Sequence, residues 1–508
     1  MNPQKALTIL SADALIYGST PGGIAAALEA ARRGCRVILA CPKKHVGGMS
    51  ASGLCTTDAV RRHLFGGLVL EFVQRVKAYY TRTIGENSPQ FPLIKDGWYY
   101  APSVAEAVFE EMLAGEEKQL TVLKAHHLVS ASVKNGKVES IILDGPKGMQ
   151  TLVKADTFID GTYEGDLAAA AGVPYRVGRE ARDEFGETLA GIHYMNFKTG
   201  KQIITPDTGE ASPAIQSFCA RCIFTDDPEK RVPIEKPATY EQHLPDYEPL
   251  LVDFKSGRVK HWAGGVMLPG RRFEFNGNIE WLTSFNCPGV SWNWPDAQRE
   301  HRERLAQFHI DHAAGMMWFI LNDSRMPDSI RGQVKEWGLH KDEFADNANW
   351  PWQIYVRQGR RIEGRAKVTQ NNFMIDPKTK RTPEVEHPIA VGEHSFDVHP
   401  CHDRRFAVEG FMEGVLWYPN KAAGPAQPGQ IPWGALLPKN IDNLLVPVAM
   451  SSTHMAMSVL RMEPVWMTTG QVAGLAAAKA KDGKTSVSQI DPDELPKTLK
   501  LLIDPFAK

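Results

Sequence analysis

Three side chains of this sequence have the chemistry to act on a bound molecule. His454, in "SSTHMAMSVLR", and His399, in "FDVHPCHDRR", are imidazoles, which change charge near neutrality and can take a proton from a hydroxyl group. Arg357, in "YVRQGRRIEGR", is a planar fork that matches a carboxylate or a phosphate. Each has an ordinary alternative. A histidine can simply be packed and hydrogen-bonded, and Arg357, Arg360, Arg361 and Arg365 stand close enough together to form a salt-bridged face. Asp397, His399 and His402 have the donor types of a metal site. No further spaced ligand set accompanies them, so contacts to a polar substrate are the favoured reading and no metal is expected.

A second group of residues has the shape to hold a phosphate. "YGSTPGGIAAALEAARRG" sets Gly18, Thr20, Pro21, Gly22 and Gly23 between an apolar run and a helical pattern. The dinucleotide fingerprint wants glycine at its first, third and sixth places; Gly18 and Gly23 keep the outer two, and Thr20 takes the middle. Gly18 permits the tight turn, and Gly23 permits close packing of helix on strand. The Thr20 hydroxyl can itself donate to a phosphate at the helix start. Taken alone, the loop also fits a plain strand–helix turn. Where the second strand should end in an acidic residue for the adenosine ribose stands Cys41, so the ribose falls to backbone amides or to Lys43. Just beyond, "HVGGMSASGLCTTD" supplies His45, Gly47, Gly48, Met49, Ser52 and Gly53, a chain able to pass close to something large and flat.

The elements that must position these residues are legible in outline. "ALIYG" and "RVILA" read as buried strands, and Ile24, Ala27, Leu28 and Ala31 recur at helical spacing between them, with Gly34 closing the helix. "LTVLKAHHLVSASVKNGKVESIILDG" reads as strands joined by a turn at Asn135 and Gly136. "KADTFIDGTYEGDLAAAAGVP" adds a strand, a polar loop and a helix of small residues. From about residue 186 to 430 the texture changes to Pro, Trp and Arg, with eight of twelve tryptophans between Trp262 and Trp352. Those rings can stack on sugars or serve as ordinary core. The small-residue texture returns in "IDNLLVPVAMSSTHMAMSVLRMEPVWMTTGQVAGLAAAKA", read as strand, loop and a helix beginning near Pro464.

Charge and cysteine content narrow the classes. Lys plus Arg number 58 against 59 for Asp plus Glu, which points to neither nucleic acid nor an anionic membrane as partner. Apolar runs fall short of the roughly 18 residues that a membrane helix needs. The opening "MNPQKALTILSADALIYG" lacks the pattern of an export leader, so a cytoplasmic location is expected. Seven cysteines are an odd number and no disulfide framework, and Cys219 and Cys222 of "CARC" read as structural.

Four segments carry a resemblance: "HVGGMSASGLCTTD", "IDGTYEGDLAAAAGVPYRVGREARDEFGE", "YVRQGRRIEG" and "NLLVPVAMSSTHMAMSVLRMEPVWMTTGQVAGLAAA". Together, and in this order over about residues 13 to 480, they resemble the FAD-dependent oxidoreductase domain family, which is distantly similar in fold to the fumarate reductase flavoproteins. The resemblance implies one bound FAD, its ADP half on the opening sheet and its flavin against the middle of the chain. Cofactor contacts then fall on the glycine loops and on Asp160, Gly161, Arg461 and Met462. A reduced flavin is negative at its N1 and O2 edge, and a helix start after "SVLRMEP" stabilises such charge by about 0.3–1 kcal/mol. Gly470 and Gly474 let that helix pack closely. Some flavoproteins of similar fold attach flavin to histidine, which makes His45 a candidate for such a bond.

The expected fold is therefore α/β: a Rossmann-like FAD-binding domain split in sequence (1–185 and 431–508), with an inserted α+β substrate domain at 186–430. The expected reaction removes hydride from a small polar hydroxylated substrate such as a sugar or hydroxy acid, with an unspecified electron acceptor. Two rivals stand beside it: a flavin-dependent reductase of an activated double bond, served by the arginine group, and a nucleotide-binding protein without catalysis.

Overall fold

Strand β1 (Leu7–Tyr17) begins exposed and is buried from Ala12 onward, where it enters the centre of a sheet. That sheet lies in a computed structural model that describes residues 7–196, 202–203, 209–257, 259–262, 264–276, 283–402, 411–416 and 426–507. Its other long strands are β2 (Val37–Ala40), β3 (Leu120–Leu123), β4 (His127–Lys134), β5 (Lys137–Asp144) and β6 (Gln150–Asp160), in the spatial order β3-β2-β1-β6-β5-β4. The first four in that order run parallel, while β5 and β4 fold back antiparallel. Asn135 and Gly136, both at positive φ (51° and 71°), make the tight turn between β4 and β5. The outer edge of β6 is shared. Its first half pairs with β5, and Phe158 and Ile159 pair in parallel with a two-residue strand, Leu444–Leu445, from the far end of the chain. The sheet is Rossmann-like and assembled from both ends of the sequence.

The helices are α1 (Pro21–Arg32), α2 (Gly67–Thr83), α3 (Pro102–Ala114), α4 (Asp166–Ala170), α5 (Tyr240–Tyr247), α6 (Pro249–Lys255), α7 (Arg299–Asn322), α8 (Asp328–Val334), α9 (His454–Leu460) and α10 (Glu463–Gly483). Helix α10 begins as the sequence suggests, with Pro464 in its first turn, where a missing N–H costs nothing. It lies along α1 at backbone contact: a Cβ on Gly470 would sit 2.0 Å from the Gly22 carbonyl oxygen, and one on Gly474 would sit 2.3 Å from that of Ala26. Gln471 ties this seam to its surroundings, donating to Glu29 at 2.9 Å and accepting from the Leu68 N–H at 3.0 Å.

Helix α9 replaces what the sequence reads as loop. All seven of its residues are buried, so no alternation of polar and apolar residues announces it. The middle of the chain contains a second, antiparallel sheet in the order Arg231–Val232, Gly338–His340, Ile223–Thr225, Arg272–Asn276, Gly264–Leu268. Trp262 and Trp294 are buried, and Trp262 stacks on Phe275 at 5.8 Å and packs against Phe224 and Trp337; Trp292, Trp318, Trp337, Trp350 and Trp352 are half-buried. Trp281 falls outside the described residues.

Candidate functional site

The turn after β1 is self-contained. Thr20 caps α1 by accepting from the Gly23 N–H at 3.2 Å and donates its own proton to the Gly161 carbonyl at 2.7 Å. Its hydroxyl proton is therefore committed to the turn and not free for a phosphate, which corrects the role the sequence suggests. Gly18 has φ +105°, and a Cβ on Gly23 would lie 2.0 Å from the Gly18 carbonyl oxygen. Gly161 closes the same knot, its own Cβ position 2.7 Å from the Gly23 Cα. Pro21 and Gly22 form the first turn of α1, and Gly22 meets the Trp466 carbonyl of α10.

Asp160, at the end of β6, accepts from the Thr162 N–H (3.0 Å), the Thr162 hydroxyl (2.6 Å) and the Ala168 N–H (2.9 Å). Burial lifts it to about 6 against those bonds. Its hydrogen bonds thus hold the loop into α4. Cys41 is buried, its thiol pushed up to about 11 by burial, and its backbone N–H donates to the Leu123 carbonyl. Lys43 is exposed and stands near Arg299, Arg302, Glu164 and Glu303; desolvation by the surrounding chain and the two arginines lower its pKa against the pull of the carboxylates.

The loop of Gly47, Gly48 and Gly53, all at positive φ, lies against this turn. The Gly47 N–H donates to the Ser19 carbonyl at 2.9 Å, and the Ser52 hydroxyl donates to the Gln353 carbonyl at 3.1 Å. The Met49 N–H donates to the Tyr163 hydroxyl at 2.9 Å, which in turn donates to Glu463 at 2.6 Å. Three of the resembling segments meet in that chain of bonds. Sequence reasoning passed over Tyr163 and Glu463, although both stand inside quoted motifs. His45 engages both ring nitrogens with carboxylates, Glu106 at 2.8 Å and Asp346 at 3.1 Å, and stacks on Trp352. Its hydrogen bond to the Glu106 carboxylate raises its pKa.

Behind the start of α10 lies a buried, charged interior. Arg461, between α9 and α10, donates to the Tyr355 hydroxyl at 2.8 Å and pairs with Asp397 at 2.7 Å. Met462 follows as the N-terminal residue of α10, which no side chain caps. Burial opposes ionisation of Asp397, but the Arg461 guanidinium at 2.7 Å overcomes it and holds the carboxylate well below its usual range. His399 stands 3.7 Å from Asp397; burial and Arg357 push its pKa down to about 3, so it is neutral. Of the other residue in that motif, His402 packs edge-on against Trp292.

The neighbouring arginines have separate duties. Arg360 pairs with Asp166 and Asp296, Arg361 with Glu180, and Arg365 with Asp442. Arg357 is wholly buried and donates to the Ser217 carbonyl and to Cys219 Sγ, with no carboxylate partner among the described residues. Glu180 also accepts the His454 N–H at 2.8 Å, and Glu187 accepts the Thr453 hydroxyl at 2.6 Å, so two carboxylates fix the loop into α9.

His454 itself is buried, and burial, with Arg179 and Arg361 nearby, holds its pKa well below the usual value. Its Nδ1 lies 2.7 Å from Gln358 Oε1. The Gln358 amide nitrogen faces the Gly178 carbonyl, which fixes the amide with its oxygen toward the histidine. Nδ1 is thereby the donor, and Nε2, which has no partner among the described residues, keeps its lone pair.

The site fits a flavin dinucleotide on its own features. Backbone meets backbone in a glycine cradle at the start of α1, and the start of α10 offers uncapped N–H groups. Glu463 Oε2 and Trp466 Nε1, both in the first turn of α10, are buried without a partner among the described residues. A Rossmann-like sheet built from both ends of the chain, with this glycine turn at its first helix, is the architecture of a dinucleotide-binding fold. The chain belongs to the FAD dependent oxidoreductase family, whose profile matches residues 13–499. It is an enzyme and its cofactor is FAD.

Among solved structures, it is similar to a geranylgeranyl bacteriochlorophyll reductase-like protein from Thermoplasma acidophilum (12% identity, 97% of this chain and 84% of that one, TM-score 0.37). It is also similar to L-proline dehydrogenase from P. horikoshii (13%, 37% and 27%, TM-score 0.20) and to a myxobacterial chondrochloren halogenase (16%, 40% and 47%, TM-score 0.25). The match spans about a quarter to a half of the length of those last two chains. No curated protein matches the sequence.

Proposed function

We propose that this enzyme oxidises a small hydroxylated molecule, a sugar or a hydroxy acid, to the corresponding carbonyl compound. FAD, when bound, supplies the acceptor for the hydride that leaves the substrate carbon. His454 takes the hydroxyl proton on Nε2, and His399 and Arg357 contact the substrate. The observation that carries the reading is the state of His454: neutral, its tautomer fixed by Gln358 Oε1 at 2.7 Å, its Nε2 lone pair unengaged among the described residues.

The pyrophosphate is held at Gly18, Thr20, Pro21, Gly22, Gly23 and Gly161, with Thr20 and Asp160 shaping the turns. Cys41 and Lys43 flank the adenosine end, and His45, Gly47, Gly48, Met49, Ser52 and Gly53 line the passage toward Arg461 and Met462. Residues 1–185 and 431–508 form the FAD-binding domain, and 186–430 form the substrate domain. Pairing of Leu444–Leu445 with β6 and the packing of α10 on α1 support that division. A cytoplasmic location is part of the proposal, supported by seven free thiols.

The test is anaerobic bleaching of the flavin-loaded enzyme by polyols, sugars and hydroxy acids. With the best substrate, His454→Ala should keep its flavin and slow flavin reduction by about 10²–10⁴-fold. An unchanged rate in the flavin-replete variant would remove His454 from the reaction and make His399 the next candidate.

A further inference from the structure

Among the described residues six arginines are buried, and five of them face a carboxylate: Arg179 with Glu413, Arg221 with Glu274 at 2.6 Å, Arg360 with Asp166 at 2.9 Å, Arg361 with Glu180 at 2.7 Å and Arg461 with Asp397 at 2.7 Å. Arg357 is the exception. Its guanidinium lies 4.6 Å from the centre of the Tyr355 ring, and Arg221 and Arg461 approach the same ring at 5.4 and 5.7 Å. Its Nε–H is buried and has no partner among the described residues, as are Ser217 Oγ and His399 Nδ1. Ser217 already holds Arg357 through its carbonyl, and Arg357 is among the charges that depress His399. A guanidinium cannot shed its proton to escape burial as a lysine can, so a buried one without an opposite charge is costly. The fold pairs five such groups with carboxylates and leaves Arg357 without one among the described residues, a charge that an anion from outside would balance.

We propose that Arg357, with the Ser217 hydroxyl, forms a subsite for a carboxylate of the substrate, so that the molecule oxidised is a hydroxy acid rather than a neutral sugar. This rests on the oxidation reading above for its choice of hydroxy acid, but not for the subsite. The planar fork suits a planar carboxylate, with Nε–H and the adjoining Nη–H on one edge. The stacked Tyr355 keeps that edge in place.

Binding is read without turnover, by quenching of intrinsic fluorescence and by calorimetry of the flavin-loaded enzyme. The probes are glycolate, oxalate and malonate, with ethylene glycol as the neutral counterpart and inorganic phosphate as the tetrahedral anion. Saturable binding of the carboxylates is expected, with ethylene glycol inert at the same concentration. Arg357→Met should weaken carboxylate binding by about 10–100-fold. Arg357→Lys, which keeps the charge and loses the fork, should fall between. If the methionine variant fails to fold, the loss in the lysine variant carries the test. Equal binding in wild type and variants, or no carboxylate binding by the wild type, would overturn the subsite. Phosphate bound in preference would overturn the carboxylate assignment. A His454→Ala enzyme that reduces flavin at full rate yet binds carboxylates through Arg357 would sink the base assignment and leave the subsite standing.

Discussion

The seam between α1 and α10 and the charged interior beyond the start of α10 are both buried, and they are built on opposite principles. In the seam, glycines bring backbone onto backbone, and the charged contacts lie at its flanks, Glu29 with Gln471 and Lys481 with the Gly34 carbonyl. Its fit is one of shape, so a single added carbon has nowhere to go. In the interior, guanidinium and carboxylate groups far apart in sequence meet across short distances, as Arg361 and Glu180 do at 2.7 Å. Its fit is one of charge, and a change that keeps shape but removes a sign is felt. One region joins the two ends of the chain by shape; the other sets unlike charges against one another inside it.

The largest effect should come from the seam. Gly470→Val places carbon within 2.0 Å of the Gly22 carbonyl oxygen, a collision with main chain that cannot be relieved by a rotamer. We expect a loss of more than about 4 kcal/mol, seen as absent cooperative unfolding and absent flavin in the purified protein. A cooperative melt near the wild-type temperature would show that the seam can open.

Next in size is Glu180→Gln, which leaves Arg361 buried without its counter-charge and should cost about 3–5 kcal/mol in urea unfolding. Because the Gln can still accept the His454 N–H, the loss measures charge rather than shape. A cost below about 1 kcal/mol would show that the interior is wetter than its burial implies.

A third change should stabilise. Burial pushes Glu463 up to about 8 from an unfolded value of 4.5, against its bond from Tyr163. The folded chain thus keeps a proton that the unfolded chain has lost, so this contribution is complete below pH 4.5 and is lost as pH rises through about 8. Glu463→Gln in flavin-free protein should therefore match wild type near pH 4.5 and exceed it by a few kcal/mol at pH 8. Parallel stability curves across that range would refute it.

The smallest effect sharpens the contrast between crowding and conformation. Gly34 has φ +84° and nothing within 4 Å of a would-be Cβ, so Gly34→Ala should cost only about 1–2 kcal/mol by thermal melting. A loss as large as that of Gly470→Val would mean that the packing argument for the seam is misplaced.

The seam and its sheet were largely legible in the sequence because their signals are local. Gly18 and Gly23 flank one turn, Asn135 and Gly136 make another, and Pro464 marks the start of α10. Helix α9 was not legible, since a helix buried on every side shows no periodic face. The charged interior was legible only as residue types. His454, His399 and the arginines of residues 357–365 could be singled out, but not that Arg361 would find Glu180 and Arg357 no carboxylate among the described residues. Those pairings join positions scores to hundreds of residues apart, and one sequence without relatives carries no record of them. The Thr20 hydroxyl shows the finer limit: its chemistry was right for a phosphate, and its geometry spends the proton on Gly161.

The two-residue strand at Leu444–Leu445 and the helix after it also set a timetable. Helix α1 is complete at residue 32, and the helix that covers it begins at residue 463. On a ribosome adding roughly 5–20 residues each second, the first helix waits roughly 20 to 90 seconds for its cover. Throughout that interval its alanine-rich face and the open edge of β6 are sticky surfaces in a crowded cell. A circular permutant that makes residues 444–483 first would shorten that interval.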